Sequence, residues 1–200
     1  MTTVGPRTSD HDIDPIFLER WSPRAFTGEV IPEPVLMQMF EAARWAASAY
    51  NSQPWRFVYA RRDTPSWEGM LSLFVEGNRS WCKEAGALIV IASDSLMLPP
   101  GKDTKVPSHS HSFDTGAASA NLALQATKLG WFAHAMVGFD RERAFAELGF
   151  TEGFRVEAAM AIGKLGDKSK LPESLRSRES PNGRKPLAET VFEGKYTPTA

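Results

Sequence analysis

Arginine and serine alternate in the segment 20–24 (RWSPR), where a proline favours an extended backbone. Alternate side chains of an extended segment project to the same side, so Arg20, Ser22 and Arg24 would face one direction. Two guanidinium groups with a hydroxyl between them suit a phosphate, because arginine offers forked and permanently charged donors. The pattern also fits a solvated surface strand, which is the commoner case for two arginines alone.

A second basic cluster stands far along the chain, at 183–186 (GRKP). Its Arg184 and Lys185 would either complete a phosphate clamp with the first cluster or keep a polar tail in solution. Spacing alone leaves both interpretations open.

Neutral hydrogen-bonding side chains are concentrated at 48–53 (SAYNSQ), between a predicted core helix and a predicted core strand. Asn51 and Gln53 alternate, so both could face one pocket before Pro54 ends the turn. Neutral donors and acceptors in a mostly apolar site are suited to holding a planar ring with polar edges. Capping of the preceding helix by asparagine and serine explains the same residues about equally well.

Two histidines and one cysteine also have side chains that could do chemistry. His109 and His111 lie two residues apart, but metal ligation needs further ligands in a suitable geometry, and the sequence offers no clear set. We therefore predict no metal site and an ordinary surface loop for residues 108–112. Cys82, next to Lys83, is either an activated thiol or a spectator, and the sequence favours the spectator.

Hydrophobic periodicity predicts an alternation of amphipathic helices and short apolar strands. The segment 87–93 (ALIVIAS) is the best candidate for a buried central strand, and residues 94–112 are predicted to form a loop. The predicted helices lie at 14–20, about 33–47, 67–75, about 113–129 and 140–149, and the predicted strands lie at 55–60, 87–93, 132–137 and 156–162.

This pattern predicts one α+β domain spanning residues 1–200, without the regular βαβ alternation of a Rossmann fold. Neither a G-x-G-x-x-G nor a Walker motif is present, so we do not expect a dinucleotide cradle of that type. From Lys164 the chain is polar and cannot bury itself. We expect this tail either to be disordered or to lie on another surface.

Composition indicates which partners and which cellular compartment to expect. The formal net charge of −1 gives no overall attraction to nucleic acid or to an anionic membrane. A single cysteine cannot form an internal disulfide, which suits a reducing compartment. The polar start has no signal-peptide core, and the longest strongly apolar run, 85–92, is far too short for a membrane span. We therefore expect a cytoplasmic protein with no nucleic-acid or membrane partner.

Five segments together resemble the nitroreductase family of flavin enzymes. They are 20–26 (RWSPRAF), 41–57 (EAARWAASAYNSQPWRF), 77–91 (GNRSWCKEAGALIVI), 136–140 (MVGFD) and 183–187 (GRKPL). The specific parts are R-x-S-x-R and N-S-Q-P-W-x-F, and the resemblance covers about 15–195. It implies a nitroreductase-like α+β fold with a central, mostly antiparallel sheet surrounded by helices, in an intertwined homodimer. Residues 1–12 would be flexible, and the extended tail 164–200 would pack on the partner subunit.

The resemblance also implies which residues contact an FMN cofactor at the dimer interface. Arginines would grip the phosphate, the 48–53 segment would meet the flavin from the other subunit, and Asn78 would bind the polar edge of the ring. The backbone at 136–138 would lie beside the flavin, on the side of its reactive nitrogen. The implied set is Arg20, Trp21, Ser22, Arg24, Ala47, Ser48, Ala49, Asn51, Gln53, Asn78, Met136, Val137, Gly138, Arg184 and Lys185.

The function implied by the resemblance is transfer of hydride from NADH or NADPH to a nitroaromatic, quinone or similar electron-poor acceptor, by a ping-pong mechanism. The chemistry is centred on the flavin, so no side chain is expected to be catalytic. Three alternatives remain at this point: a protein that binds or sequesters flavin, a relative with other flavin chemistry such as dehydrogenation or dehalogenation, and a phosphate-binding hydrolase without flavin.

Overall fold

The computed structural model describes residues 1–197 as a layered arrangement of short strands and helices. The strands are β1 (Thr3–Val4), β2 (Arg7–Thr8), β3 (Trp55–Arg61), β4 (Ala87–Asp94), β5 (Leu96–Met97), β6 (Val106–Pro107), β7 (Phe132–Met136) and β8 (Phe154–Gly163). The helices are α1 (Ile16–Glu19), α2 (Glu33–Arg44), α3 (Trp67–Ser72), α4 (Glu76–Cys82), α5 (His111–Lys128), α6 (Arg141–Glu147) and α7 (Glu173–Arg176).

The central sheet contains four antiparallel strands in the order β3–β4–β8–β7. Strand β4 is apolar from Ala87 to Ala92 and has a neighbour on each side, which confirms the prediction of a buried central strand. The register between β4 and β8 shifts after Ile91, because Ile91 pairs with Ala158 and Ala92 pairs with Val156. Glu157 is therefore the extra residue of a β-bulge.

Both faces of the sheet are covered by helices. On one face Leu88 and Val90 pack in a cluster that includes side chains of α3, α4 and α6, and on the other face Ile89 and Ile91 pack in a cluster with α2 and α5. Burial of each such side chain contributes roughly 1.5–3 kcal/mol to folding. The resulting α+β architecture is the predicted one.

Two predicted segments differ most from the structure. The helix predicted at 67–75 ends at Ser72, and a separate helix, α4, begins at Glu76, because Val75 has an extended backbone and the preceding Phe74 forms a bridge to Phe139. The predicted loop 94–112 contains the small antiparallel pair β5–β6, and α5 already begins at His111. A strand that contains Pro107 is hard to predict, since proline lacks the N–H that a sheet needs.

Both ends of the described chain make contacts with the rest of the subunit. Residues 1–12 include the hairpin β1–β2, and Thr2 Oγ1 ties it to Asp12 and Ile13. Part of the polar tail packs on its own subunit, where Leu171 and Glu179 are buried. Packing of the tail on a partner subunit stays a prediction. Within residues 1–197, no helix has the length and apolar character needed to cross a membrane.

Candidate functional site

Three arginines from distant parts of the chain come together beside α1. The Nη1 atom of Arg20 lies 3.4 Å from Ser22 Oγ, as the alternation in the sequence predicted. Burial and the nearby Arg184 lower the pKa of Arg20 from its ordinary value, and burial followed by Arg184 and Arg20 lowers the pKa of Arg7. Within residues 1–197, no carboxylate lies within salt-bridge distance of these three guanidinium groups. Mutually repelling cations of this kind favour a bound anion.

Arg24, in contrast, has a carboxylate partner. Its Nη1 atom lies 3.8 Å from Glu179 Oε2, and Glu179 Oε1 accepts hydrogen bonds from the backbone N–H groups of Arg24 (2.7 Å) and Ala25 (2.8 Å). The ring of His134 contacts the same segment, with its Nδ1 atom 2.9 Å from the carbonyl oxygen of Pro23. Glu179 and His134 thus fix the segment that carries Arg20 and Arg24. The sequence did not indicate either residue.

The amide-rich segment is a strained loop with three residues in the left-handed region. The φ angles of Tyr50, Asn51 and Gln53 are 52°, 55° and 49°, and non-glycine residues adopt such values rarely, at a cost of about 1–3 kcal/mol each when strained. Ser48 Oγ accepts a hydrogen bond from the backbone N–H of Gln53 at 3.0 Å, and Gln53 Nε2 donates to Asn51 Oδ1 at 3.2 Å. These contacts favour a shaped loop over simple helix capping.

Asp114, on the first turn of α5, holds this loop in place. Its Oδ2 atom accepts hydrogen bonds from the backbone N–H of Ala49 at 3.1 Å and from Ser110 Oγ at 2.9 Å. The side chain is buried, so both bonds are protected from water. Sequence reasoning missed Asp114, because its partner Ala49 is separated from it by more than sixty residues.

Asn78 and the segment 136–138 lie in contact with each other. Asn78 Nδ2 donates to the carbonyl oxygen of Gly138 at 3.0 Å, and the backbone N–H of Val75 donates to the same oxygen at 3.3 Å. A Cβ atom on Gly138 would lie 2.5 Å from Asn78 Nδ2, which is too close for any real contact. A side chain at position 138 would therefore displace the Asn78 amide.

The Gly138→Ala protein should be less stable than the wild type. The added methyl group displaces the Asn78 amide, so we expect the free energy of unfolding to fall by about 1–3 kcal/mol. Urea unfolding measures the change. Gly77→Ala, on α4, is the matched control because a Cβ atom there meets open space. Equal stability of the Gly138→Ala and Gly77→Ala proteins would contradict the close contact.

The other residues implied by the resemblance differ in burial and in their contacts. Trp21 packs edge-on against Phe132, Met136 is buried, and Ala47 and Val137 are exposed. Lys185 lies 3.4 Å from Glu189, so its charge is partly neutralised within the tail. The structure thus groups Arg20, Ser22 and Arg184 directly, and leaves Lys185 outside that group.

His111 and Cys82 have structural surroundings. His111 Nδ1 lies 2.7 Å from Ser93 Oγ and 3.6 Å from Glu157 Oε1, the carboxylate that the β-bulge turns toward α5. His111 therefore belongs to a packed polar cluster and not to a bland surface loop. Burial raises the pKa of Cys82 to about 12, so this thiol is unreactive near neutral pH. No group of three metal-ligating side chains occurs in the part of the chain described.

The residues present fit FMN. A phosphate monoester carries up to two negative charges, which would compensate the cluster of Arg7, Arg20 and Arg184. The loop at 48–53 and the amide of Asn78 supply neutral donors and acceptors of the kind that bind the polar edge of a planar ring. The donor set therefore matches both chemical ends of the cofactor.

Comparison with known proteins identifies relatives over the full chain. The sequence model of the Nitroreductase family matches residues 18–66. A solved crystal structure of an oxidoreductase containing FMN is 46% identical, with 100% of both chains covered and a TM-score of 0.95. This level of identity and coverage extends the similarity well beyond the matched segment.

Two curated proteins are also similar. A 15.4 kDa protein of Mycolicibacterium smegmatis, named only as lying in the ask 5' region, is 35% identical over 128 residues, which cover 64% of this chain and 82% of the relative. The NADH dehydrogenase of Thermus thermophilus is 27% identical over 175 residues, which cover 73% of this chain and 83% of the relative. The chain belongs to the nitroreductase family.

Proposed function

We propose that this protein is an FMN-dependent oxidoreductase that transfers hydride from NADH or NADPH to a nitroaromatic, quinone or similar electron-poor acceptor. The observation that carries the proposal is the cluster of Arg7, Arg20 and Arg184, which lacks a carboxylate partner within residues 1–197. The FMN in the 46% identical oxidoreductase supports the identity of the anion. The Thermus thermophilus relative is an NADH dehydrogenase, which supports a nicotinamide donor.

The residues of the chain bind and orient, and FMN supplies the redox chemistry when it is bound. Arg20 and Arg184 hold the phosphate, with Ser22 as an additional hydroxyl donor. The strained loop at 48–53 and Asn78 offer hydrogen bonds to the ring edges. Because the redox chemistry would lie with the cofactor, no side chain has to act as a nucleophile or as a general base.

The proposal includes a homodimer in which the loop at 48–53 meets the flavin of the partner subunit. Two large aromatic side chains near this loop are exposed in the single chain. Trp45, which precedes the loop in the sequence, is 75% exposed. Phe113, which is adjacent to the loop-binding Asp114, is 81% exposed. We infer that these exposed aromatic side chains belong to the surface that the partner covers. A partner subunit would bury it and would complete the cofactor site.

Steady-state kinetics should be ping-pong, with parallel double-reciprocal lines for NADH or NADPH against a quinone or nitroaromatic acceptor. The chain has no Rossmann or Walker motif that would provide a second nucleotide site, so donor and acceptor are expected to use one slot in turn. Intersecting lines would contradict the shared slot, since they require both molecules to be bound together.

The His111→Ala protein should still allow NADH or NADPH to bleach bound flavin under anaerobic conditions. His111 contacts Ser93 and Glu157, so its loss is expected to cost about 1–3 kcal/mol of folding free energy and to alter acceptor KM. His109→Ala is the control, because His109 is exposed beside the cluster. A His111→Ala protein that keeps FMN but is no longer bleached would make this histidine catalytic.

A further inference from the structure

Arg7 lies on the N-terminal hairpin, outside the residues matched by the family model, and yet is buried with only 8% exposure. Its Nη1 atom donates to the carbonyl oxygens of Leu18 and Arg20, both at 2.8 Å. Its Nε atom donates to the carbonyl oxygen of Asn182 at 2.9 Å. One side chain thus joins the chain start, the Arg20 segment and the tail.

Asn182 extends this connection to Arg184. The Oδ1 atom of Asn182 accepts from Arg7 Nη2 at 3.3 Å and from Arg184 Nη1 at 3.2 Å. Arg184 is itself exposed, and its Nη1 atom also donates to the carbonyl oxygen of Gly183 at 2.8 Å. Without Arg7, the residues that fix Arg184 beside Arg20 would lose their anchor.

We propose that Arg7 is a positioning residue for the FMN phosphate, because its guanidinium fork holds Arg184 of the tail beside Arg20 of the first basic segment. The inference rests on the proposed function and deepens it. Four of the five guanidinium N–H groups are used on acceptors in two other segments, residues 18–20 and the tail. Lysine has a single nitrogen and cannot reproduce this fork.

The effect of such a residue is confined to the phosphate end of the cofactor. FMN and riboflavin differ only in the phosphate, so the ratio of their dissociation constants isolates the contribution of the phosphate site. A general weakening of the fold would lower both affinities, whereas displacement of Arg184 lowers the affinity for FMN alone. The ratio is therefore a readout that a merely structural role does not change.

The test measures binding of FMN and of riboflavin to the full-length apoprotein by quenching of flavin fluorescence. We expect Arg7→Met and Arg7→Lys each to reduce the preference for FMN over riboflavin by about tenfold. Thr8→Ala is the control, because it removes the exposed contact between Thr8 and Thr3 in the same hairpin and leaves the Arg7 contacts in place. Asn182→Ala, at an exposed position, should reduce the preference and should add little to Arg7→Met.

Each other outcome overturns the inference. An unchanged preference in Arg7→Met and Asn182→Ala would show that Arg184 needs no anchor. Equal losses for FMN and riboflavin would assign Arg7 to the fold alone, and full rescue by Arg7→Lys would show that charge suffices without the fork. A wild-type protein that does not prefer FMN would remove the proposed function itself, so the two failures are distinguishable.

Discussion

The Arg20→Ala protein will bind FMN about ten- to a hundredfold more weakly than the wild type. Each charge-assisted hydrogen bond to a phosphate is worth roughly 1.5–3 kcal/mol, and Arg20 has no carboxylate within salt-bridge distance in the described chain. Its full charge is therefore available to the ligand. Fluorescence quenching of FMN by the apoprotein measures the affinity.

Arg24→Ala provides an informative comparison with Arg20→Ala. Arg24 shares its charge with Glu179 at 3.8 Å, so its loss should weaken FMN less, while the buried carboxylate left behind destabilises the folded protein. Arg143→Ala is the control, since the Arg143 guanidinium pairs with Glu147 of its own helix. Unchanged FMN affinity in the Arg20→Ala and Arg24→Ala proteins would mean that the phosphate binds elsewhere.

Removal of residues 186–200 should weaken dimerisation by at least about a hundredfold and should release flavin at the same time. Val191 and Tyr196 are 65% and 73% exposed in the single chain. Burying two such side chains on a partner contributes about 1.5–3 kcal/mol each, and 1.4 kcal/mol corresponds to tenfold in affinity. Analytical ultracentrifugation and the absorbance of retained flavin measure the two effects together.

A cut after Lys185 leaves Arg184, Glu179 and Leu171 in place, so it separates contact with the partner from packing within the subunit. A chain that ends at Thr197 is the control for shortening as such. A protein lacking 186–200 that stays dimeric and keeps its flavin would show that the tail has no part in the interface.

The sequence predicted those parts of the site that depend on local spacing. Arg20 and Ser22 approach each other because they alternate in an extended segment, and the burial of β4 follows from its unbroken apolar run. For the basic cluster that contains Arg184, the sequence left two interpretations open. The proximity of Arg184 to Arg20 depends on how the tail returns to the first segment.

The supporting residues could not be predicted, because their partners are far away along the chain. Arg7 bonds to Asn182 and Glu179 bonds to Arg24, in each case between opposite ends of the sequence. The polar composition of the tail left disorder and packing on another surface open, and it did not indicate that Leu171 and Glu179 are buried within the subunit. The left-handed conformation of Tyr50 is likewise a tertiary effect, since tyrosine has no local preference for it.

The most direct test of the central claim is the visible absorbance of the purified protein, recorded anaerobically before and after addition of NADH or NADPH. We predict the spectrum of bound flavin, with FMN as the mass of the released chromophore, and rapid bleaching by at least one of the two donors. Flavin that is bound but is not bleached by either donor would indicate a flavin-sequestering protein. A colourless protein that takes up no added FMN, or one that releases FAD, would contradict the account.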